Sequence, residues 1–112
     1  MTPSSTEEYL PEVYLGLRDR FPGVAEAMDE LGRATTAAGP LDERTQRLVK
    51  LGIAIGAQAA GAVRSNVRRA LEAGASGDEI MHVAALSIST RGFPAAVAAY
   101  SWIEEVLTTR PS

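Results

Sequence analysis

The hydrophobic positions along the 112-residue chain recur with helical spacing, and no stretch alternates apolar and polar residues in the way a half-buried strand does. The pattern predicts about six helices. A first runs from about Thr6 to Phe21, with Pro11 as an alternative first turn. Leu10, Val13, Tyr14 and Leu17 form its inner stripe at i, i+3, i+4, i+7. Phe21-Pro22-Gly23 is expected to break the chain. A second helix covers Val24 to Ala38, with Met28 and Leu31 inward, and Gly39-Pro40 stops it.

The third helix begins at Asp42, a good N-cap preceded by Leu41, and runs to about Ala57. Leu48, Leu51 and Ile55 fall on one side of it, Val49 and Ile53 on another. This predicts burial over most of its circumference. Ala60 to Ala73 forms the fourth helix, with Val63, Val67, Ala70 and Leu71 inward and Gly74 after its end. The fifth opens with Ser76-Gly77-Asp78-Glu79, a capping box, and closes at Gly92. Pro94 suits the first turn of a last helix reaching about Thr108. The expectation is one all-α domain over residues 1–112, with no repeat and no low-complexity tract.

Composition sharpens this in two ways. Aromatic residues are only 5% of the chain, so Ala, Val, Leu and Ile must fill the core. Such a core buries little area per residue, and further burial through a homo-oligomer is expected. There is no cysteine, which removes thiol redox chemistry and thiolate metal sites, and fits a cytoplasmic protein. The N-terminus has no basic start or apolar stretch, so no signal peptide is expected. The apolar window Leu51 to Val63 is shorter than the roughly 20 residues of a bilayer span, so no membrane association is expected.

The net charge of −3 argues against nucleic acid as a partner. Its distribution is uneven. From Arg44 to Leu71 there is no acid, while Arg44, Arg47, Lys50, Arg64, Arg68 and Arg69 all lie there. These cations either line solvated helix faces or form a basic patch facing an anion or a partner's acids.

Three segments carry a resemblance: PLDERTQRLVKLGIAIGA (Pro40 to Ala57), VRRALEAGASGDEI (Val67 to Ile80) and GFPAA (Gly92 to Ala96). In this order and spacing the chain resembles the carboxymuconolactone decarboxylase / alkylhydroperoxidase D family over about 40–103. The resemblance implies an alkylhydroperoxidase D-like helical fold and a homo-oligomer, commonly a trimer or hexamer. Peroxidase members carry Cys-x-x-Cys and a histidine four residues after the second cysteine. Those positions correspond to Ala59, Ala62 and Asn66, and the relay glutamate to Arg47. The decarboxylase branch uses a Glu and a His near the same helix start, where Ala62 and Asn66 stand. The residues before GFPAA, often Tyr-Ala in the family, are Thr90-Arg91. A thiolate attacks the peroxide oxygen in such enzymes, and alanine supplies no nucleophile. The chain is therefore expected not to be a thiol peroxidase.

What remains as candidate chemistry is an anion-binding or pocket set: Gln58, Arg64, Asn66, His82 and Arg91. Arg64 or Arg91 would hold a carboxylate, and Gln58, Asn66 or His82 would polarise it. Helical spacing works against joint use of Arg64 and Asn66, which point about a half-turn apart. It makes Arg64 and Arg68 a ridge that could meet Glu104 and Glu105 of another chain. One histidine without cysteine makes no usual zinc site, so no metal or other cofactor is expected. Gly56 and Gly61 have phosphate-loop spacing but lack the following Lys-Ser/Thr and follow a helix, which reads as a helix break. Ser87, Ser89 and Thr90 are expected to bond back to their own helix, and Tyr100 and Trp102 to pack or to form a subunit contact. Two functions follow: a non-redox oligomeric binding or scaffolding protein, and a diverged enzyme acting on a small carboxylate or lactone.

Overall fold

A computed structural model describes residues 12–109. The predicted start of the first helix at Thr6, with Leu10 and Pro11, lies outside the described residues. Six helices occur in order: α1 (Glu12–Arg20), α2 (Pro22–Ala37), α3 (Glu43–Gly56), α4 (Ala60–Glu72), α5 (Gly77–Arg91) and α6 (Phe93–Thr109). The fold is all-α, and no strand occurs among the described residues. The described residues fall into two compact units, one ending at Leu41 and the other starting at Asp42.

In the first unit α1 and α2 form a hairpin with no buried residue. Val13, Leu17, Met28 and Leu31, expected to face inward, are all exposed. Two helices of this length enclose too little volume to remove a stripe from water. Polar contacts instead join them: the Arg18 guanidinium donates to both carboxylate oxygens of Asp29 at 3.0 and 2.5 Å, and to the Tyr14 hydroxyl at 3.2 Å. The Asp29 carboxyl is held below its ordinary value by that bond. The expected break at Phe21-Pro22-Gly23 shrinks to Phe21 alone. Pro22 is the first residue of α2, where its missing N–H would have had no helical partner.

The second unit holds the core. Leu51 and Ile55 of α3, Val63 and Val67 of α4, Ile80 of α5 and Ile103 of α6 are its largest fully buried side chains. Ala54, Ala70, Ala84 and Ala99 fill the space between them. α5 packs over α3 at Gly52, where a Cβ would make only an ordinary contact with the Val83 side chain, at 3.6 Å. The helix ends follow local chemistry. The Asp42 carboxylate accepts from the Thr45 amide at 2.8 Å. Ser76 and Glu79 make the reciprocal capping box, at 3.1 Å from the Glu79 amide to Ser76 Oγ and 2.9 Å from the Ser76 amide to Glu79 Oε1. α4 ends in a Schellman motif, with Gly74 at φ 98°: the Gly74 amide donates to the Leu71 carbonyl and the Ala75 amide to that of Ala70. α3 ends the same way, but its left-handed position is filled by Gln58, at φ 54°.

The expectation that α3 is buried on most of its circumference is corrected. Val49 and Ile53 are exposed, because only the Leu48–Leu51–Ile55 side meets the core. Leu86 and Ile88 of α5 and Phe93, Val97 and Tyr100 of α6 are also exposed, so much of the apolar surface of this unit faces outward.

Candidate functional site

The five sequence candidates are placed as follows. Gln58 is exposed in the turn between α3 and α4. Arg64, half-buried on α4, donates from Nε to Glu105 Oε2 at 2.8 Å. The pairing with Glu105 that helical spacing allowed between chains forms within one chain, 41 positions apart in sequence, because α4 packs against α6. Asn66 donates its side-chain amide to the Ala62 carbonyl at 2.9 Å, one turn back on its own helix. His82 and Arg91 are exposed on α5. Ser87, Ser89 and Thr90 bond back to carbonyls of α5, as helix-interior hydroxyls commonly do.

The Arg64–Arg68 ridge is not a ridge. Arg68 is buried, 9% exposed, while Arg64 is engaged by Glu105. Arg44, at the start of the acid-free stretch, pairs with Glu79. Glu79 therefore does two jobs, accepting from the Ser76 amide through one oxygen and from Arg44 through the other. The Ser76 bond first, then Arg44, hold its carboxyl below the ordinary range, and the same pairing raises Arg44.

The rest of the basic stretch has a different character. Arg47 and Lys50 lie three apart on α3, with buried Ala54 a further turn along the same face. Ala62, Asn66 and Arg69 share a face of α4, at i, i+4, i+7. α3 and α4 are antiparallel neighbours joined at Ala57–Ala59 and pack closely. Burial, and then the nearby charges of Arg47 and Arg69, push the Lys50 ammonium below its ordinary lysine value. The Arg69 Nε is buried and meets no hydrogen-bond acceptor. No acid among the described residues pairs with Arg47, Lys50 or Arg69.

A second feature lies between α5 and α6, an open groove of about 370 Å³ lined by residues that include Met81, Ala85, Ile88, Phe93, Val97 and Tyr100. None of the five sequence candidates lines it, and it offers almost no polar surface. The signal for this groove was in the sequence as the mainly apolar stretches Ile80–Ile88 and Phe93–Tyr100 on either side of Gly92, but stretches of that kind do not say which members the core will cover. Among the described residues no group of three or more His, Asp or Glu is placed to hold a metal ion. No helix among them is long and apolar enough to cross a membrane.

The pattern of the carboxymuconolactone decarboxylase family matches residues 22–105. The chain belongs to that family. The match starts at the first residue of α2 and ends in α6, wider than the 40–103 core carried by the three resembling segments. Among solved structures, the chain is similar to apo-lpg0406, a carboxymuconolactone decarboxylase family protein from Legionella pneumophila. That similarity has a TM-score of 0.73 at 20% identity, over 90% of this chain and 96% of that one. At this identity the likeness speaks for the fold. No curated protein matches the chain. Arg47, Ala59, Ala62 and Asn66, the positions that the resemblance sets against the family's reactive residues, fall on α3, on α4 and at the turn between them, on the same two helices as Lys50 and Arg69.

Proposed function

We propose that this family member is a non-redox homo-oligomer that binds or scaffolds, its reactive residues replaced. The observation that carries the reading is the state of the α4 start. Ala59 and Ala62 offer methyl groups where a thiol peroxidase needs thiolates, and the Asn66 amide is tied to its own backbone. General acid–base work needs a group with a suitable pKa within reach of the reacting atoms. On this face of α3 and α4 stand cations, alanines and an amide.

Assembly as a trimer or hexamer is supported by the apolar surface that one chain leaves open. Phe93, Val97 and Tyr100 on α6, Leu86 and Ile88 on α5, and Ile53 on α3 are large apolar side chains left exposed by one chain, and exposed apolar surface where it is contiguous marks an interaction site. The lack of cysteine is in keeping with a cytoplasmic setting. A second reading is a diverged enzyme acting on a small carboxylate or lactone. The uncompensated cations at Arg47, Lys50 and Arg69 favour it in so far as they suit an anionic substrate.

The test is a pair of measurements on one preparation: turnover of an alkyl hydroperoxide with a dithiol reductant, and mass by light scattering. The reading expects no turnover above the protein-free blank and a mass of three or six 11.8 kDa chains. Thiol-dependent turnover by clean protein, or a monodisperse monomer at micromolar concentration, overturns it.

A further inference from the structure

We propose that Arg47, Lys50 and Arg69 form an oxyanion site on the shared face of α3 and α4, and that its ligand carries a phosphate group. The inference rests on the reading of this face as a binding rather than a thiol-redox site, and names its ligand class.

The first support is the contrast with neighbouring cations. Arg44 and Arg64 come from the same acid-free stretch, yet each finds a carboxylate from a distant segment, Glu79 and Glu105. The fold thus neutralises basic residues of this stretch where it brings acids near. At Arg47, Lys50 and Arg69 it brings none among the described residues. Like charges held together without a counter-charge are costly, and more so where water is partly excluded. All three side chains are only half-exposed. The Arg69 Nε–H lies out of contact with solvent and has no acceptor, a donor that a bound oxygen would satisfy. The Lys50 ammonium is already disfavoured by burial and by the two guanidinium groups.

The choice of phosphate follows from charge and shape. A carboxylate brings one negative charge and two oxygens in a plane. A phosphate group brings close to two charges at neutral pH and oxygens arranged tetrahedrally. Two guanidinium groups and an ammonium carried on two different helices supply the charge that the second needs better than the first does.

The experiment is calorimetric titration at low ionic strength with inorganic phosphate, a simple phosphate monoester, and malonate, with sodium chloride as the ionic-strength control. The proteins are the wild type, K50Q, R69Q and R33Q, the last altering an exposed pair with Glu30 far from this face in sequence. Saturable phosphate binding is expected. It should weaken about tenfold or more in K50Q and in R69Q, the loss typical of one charge-assisted hydrogen bond, and stay unchanged in R33Q. Tighter binding of the monoester than of free phosphate would identify an ester as the source. The Lys50 ammonium, followed by NMR in the wild type, should titrate at higher pH with phosphate present. That readout keeps the test valid even if a variant folds poorly.

Absence of saturable phosphate binding overturns the proposal, as does equal binding by all four proteins. Malonate binding as tightly as phosphate overturns the phosphate assignment. A change of oligomer mass in R69Q without phosphate binding assigns the cluster to a subunit contact and also overturns it. Hydroperoxide and lactone turnover measured on the same samples separates the two readings. Turnover would remove the non-redox binding function, while the phosphate titration would still be decided by its own result.

Discussion

Ile53 and Ile55 stand two residues apart on α3 and experience opposite environments, which makes them a direct test of what one chain covers. Ile55 is 1% exposed and Ile53 is 66% exposed. Truncating a fully buried isoleucine to alanine costs about 2–5 kcal/mol, from lost transfer energy and the cavity left behind. Ile55→Ala should fall in that range. At Ile53, 66% exposed, only about a third of the residue is removed from water in a single chain, so about 0.5–1 kcal/mol is at stake. Alanine's better helix propensity offsets a few tenths of a kcal/mol of this. A homo-oligomer that covers Ile53 changes the second figure only. It moves toward the buried value and acquires a dependence on protein concentration, because association then contributes to stability. The assay is urea unfolding followed by circular dichroism, at two protein concentrations about tenfold apart. A cost below about 1 kcal/mol for Ile55→Ala would refute the placement of α3 against the core. A large cost for Ile53→Ala with no concentration dependence would refute its exposure in the chain.

Three further outcomes follow from the helix ends and ion pairs. Gln58→Gly should stabilise the protein by about 0.5–1 kcal/mol in thermal unfolding, since a left-handed residue other than glycine is strained there; destabilisation would contradict the φ of 54°. Ser76→Ala should cost about 1 kcal/mol through loss of the capping box, and a neutral urea midpoint would show that box to be idle. Glu79 is held below its ordinary value of 4.5, so the stability it contributes is present above that value and is lost as pH falls through the lower folded one. Unfolding midpoints taken between about pH 6 and 3 should therefore decline less steeply in Glu79→Gln, and somewhat less steeply in Arg44→Gln, than in the wild type. Parallel declines in all three would count against the double role of Glu79.

The sequence by itself determined whatever is decided within one or two helical turns. Asp42 and the Ser76–Glu79 box cap their helices as their spacing predicts, because an N-cap bond closes over three residues whatever the rest of the chain does. Gly74 and Gly92 adopt positive φ where the helices they follow end. The order and spacing of three short segments carried the family. Pro22 is an instructive local miss: the same residue that ends one helix can start the next, and only the single-residue break at Phe21 shows which occurred.

Tertiary structure decided everything that depends on which faces meet. Helical spacing gave α3 two apolar sides, but packing against α4 and α5 covers one and leaves Val49 and Ile53 outside. The same spacing put Arg64 and Arg68 on one ridge, yet the fold buries Arg68 and brings Glu105 to Arg64 across 41 positions. The candidate set built around Arg64 and Asn66 did not include Lys50 and Arg69. Their association needs the antiparallel contact of two helices, and charge patterning along a chain says which cations exist but not which carboxylates will reach them. Ion pairs such as Arg44–Glu79 and Arg64–Glu105 form where remote backbone segments converge. An uncompensated group such as Arg47, Lys50 and Arg69 becomes visible only once those convergences are known.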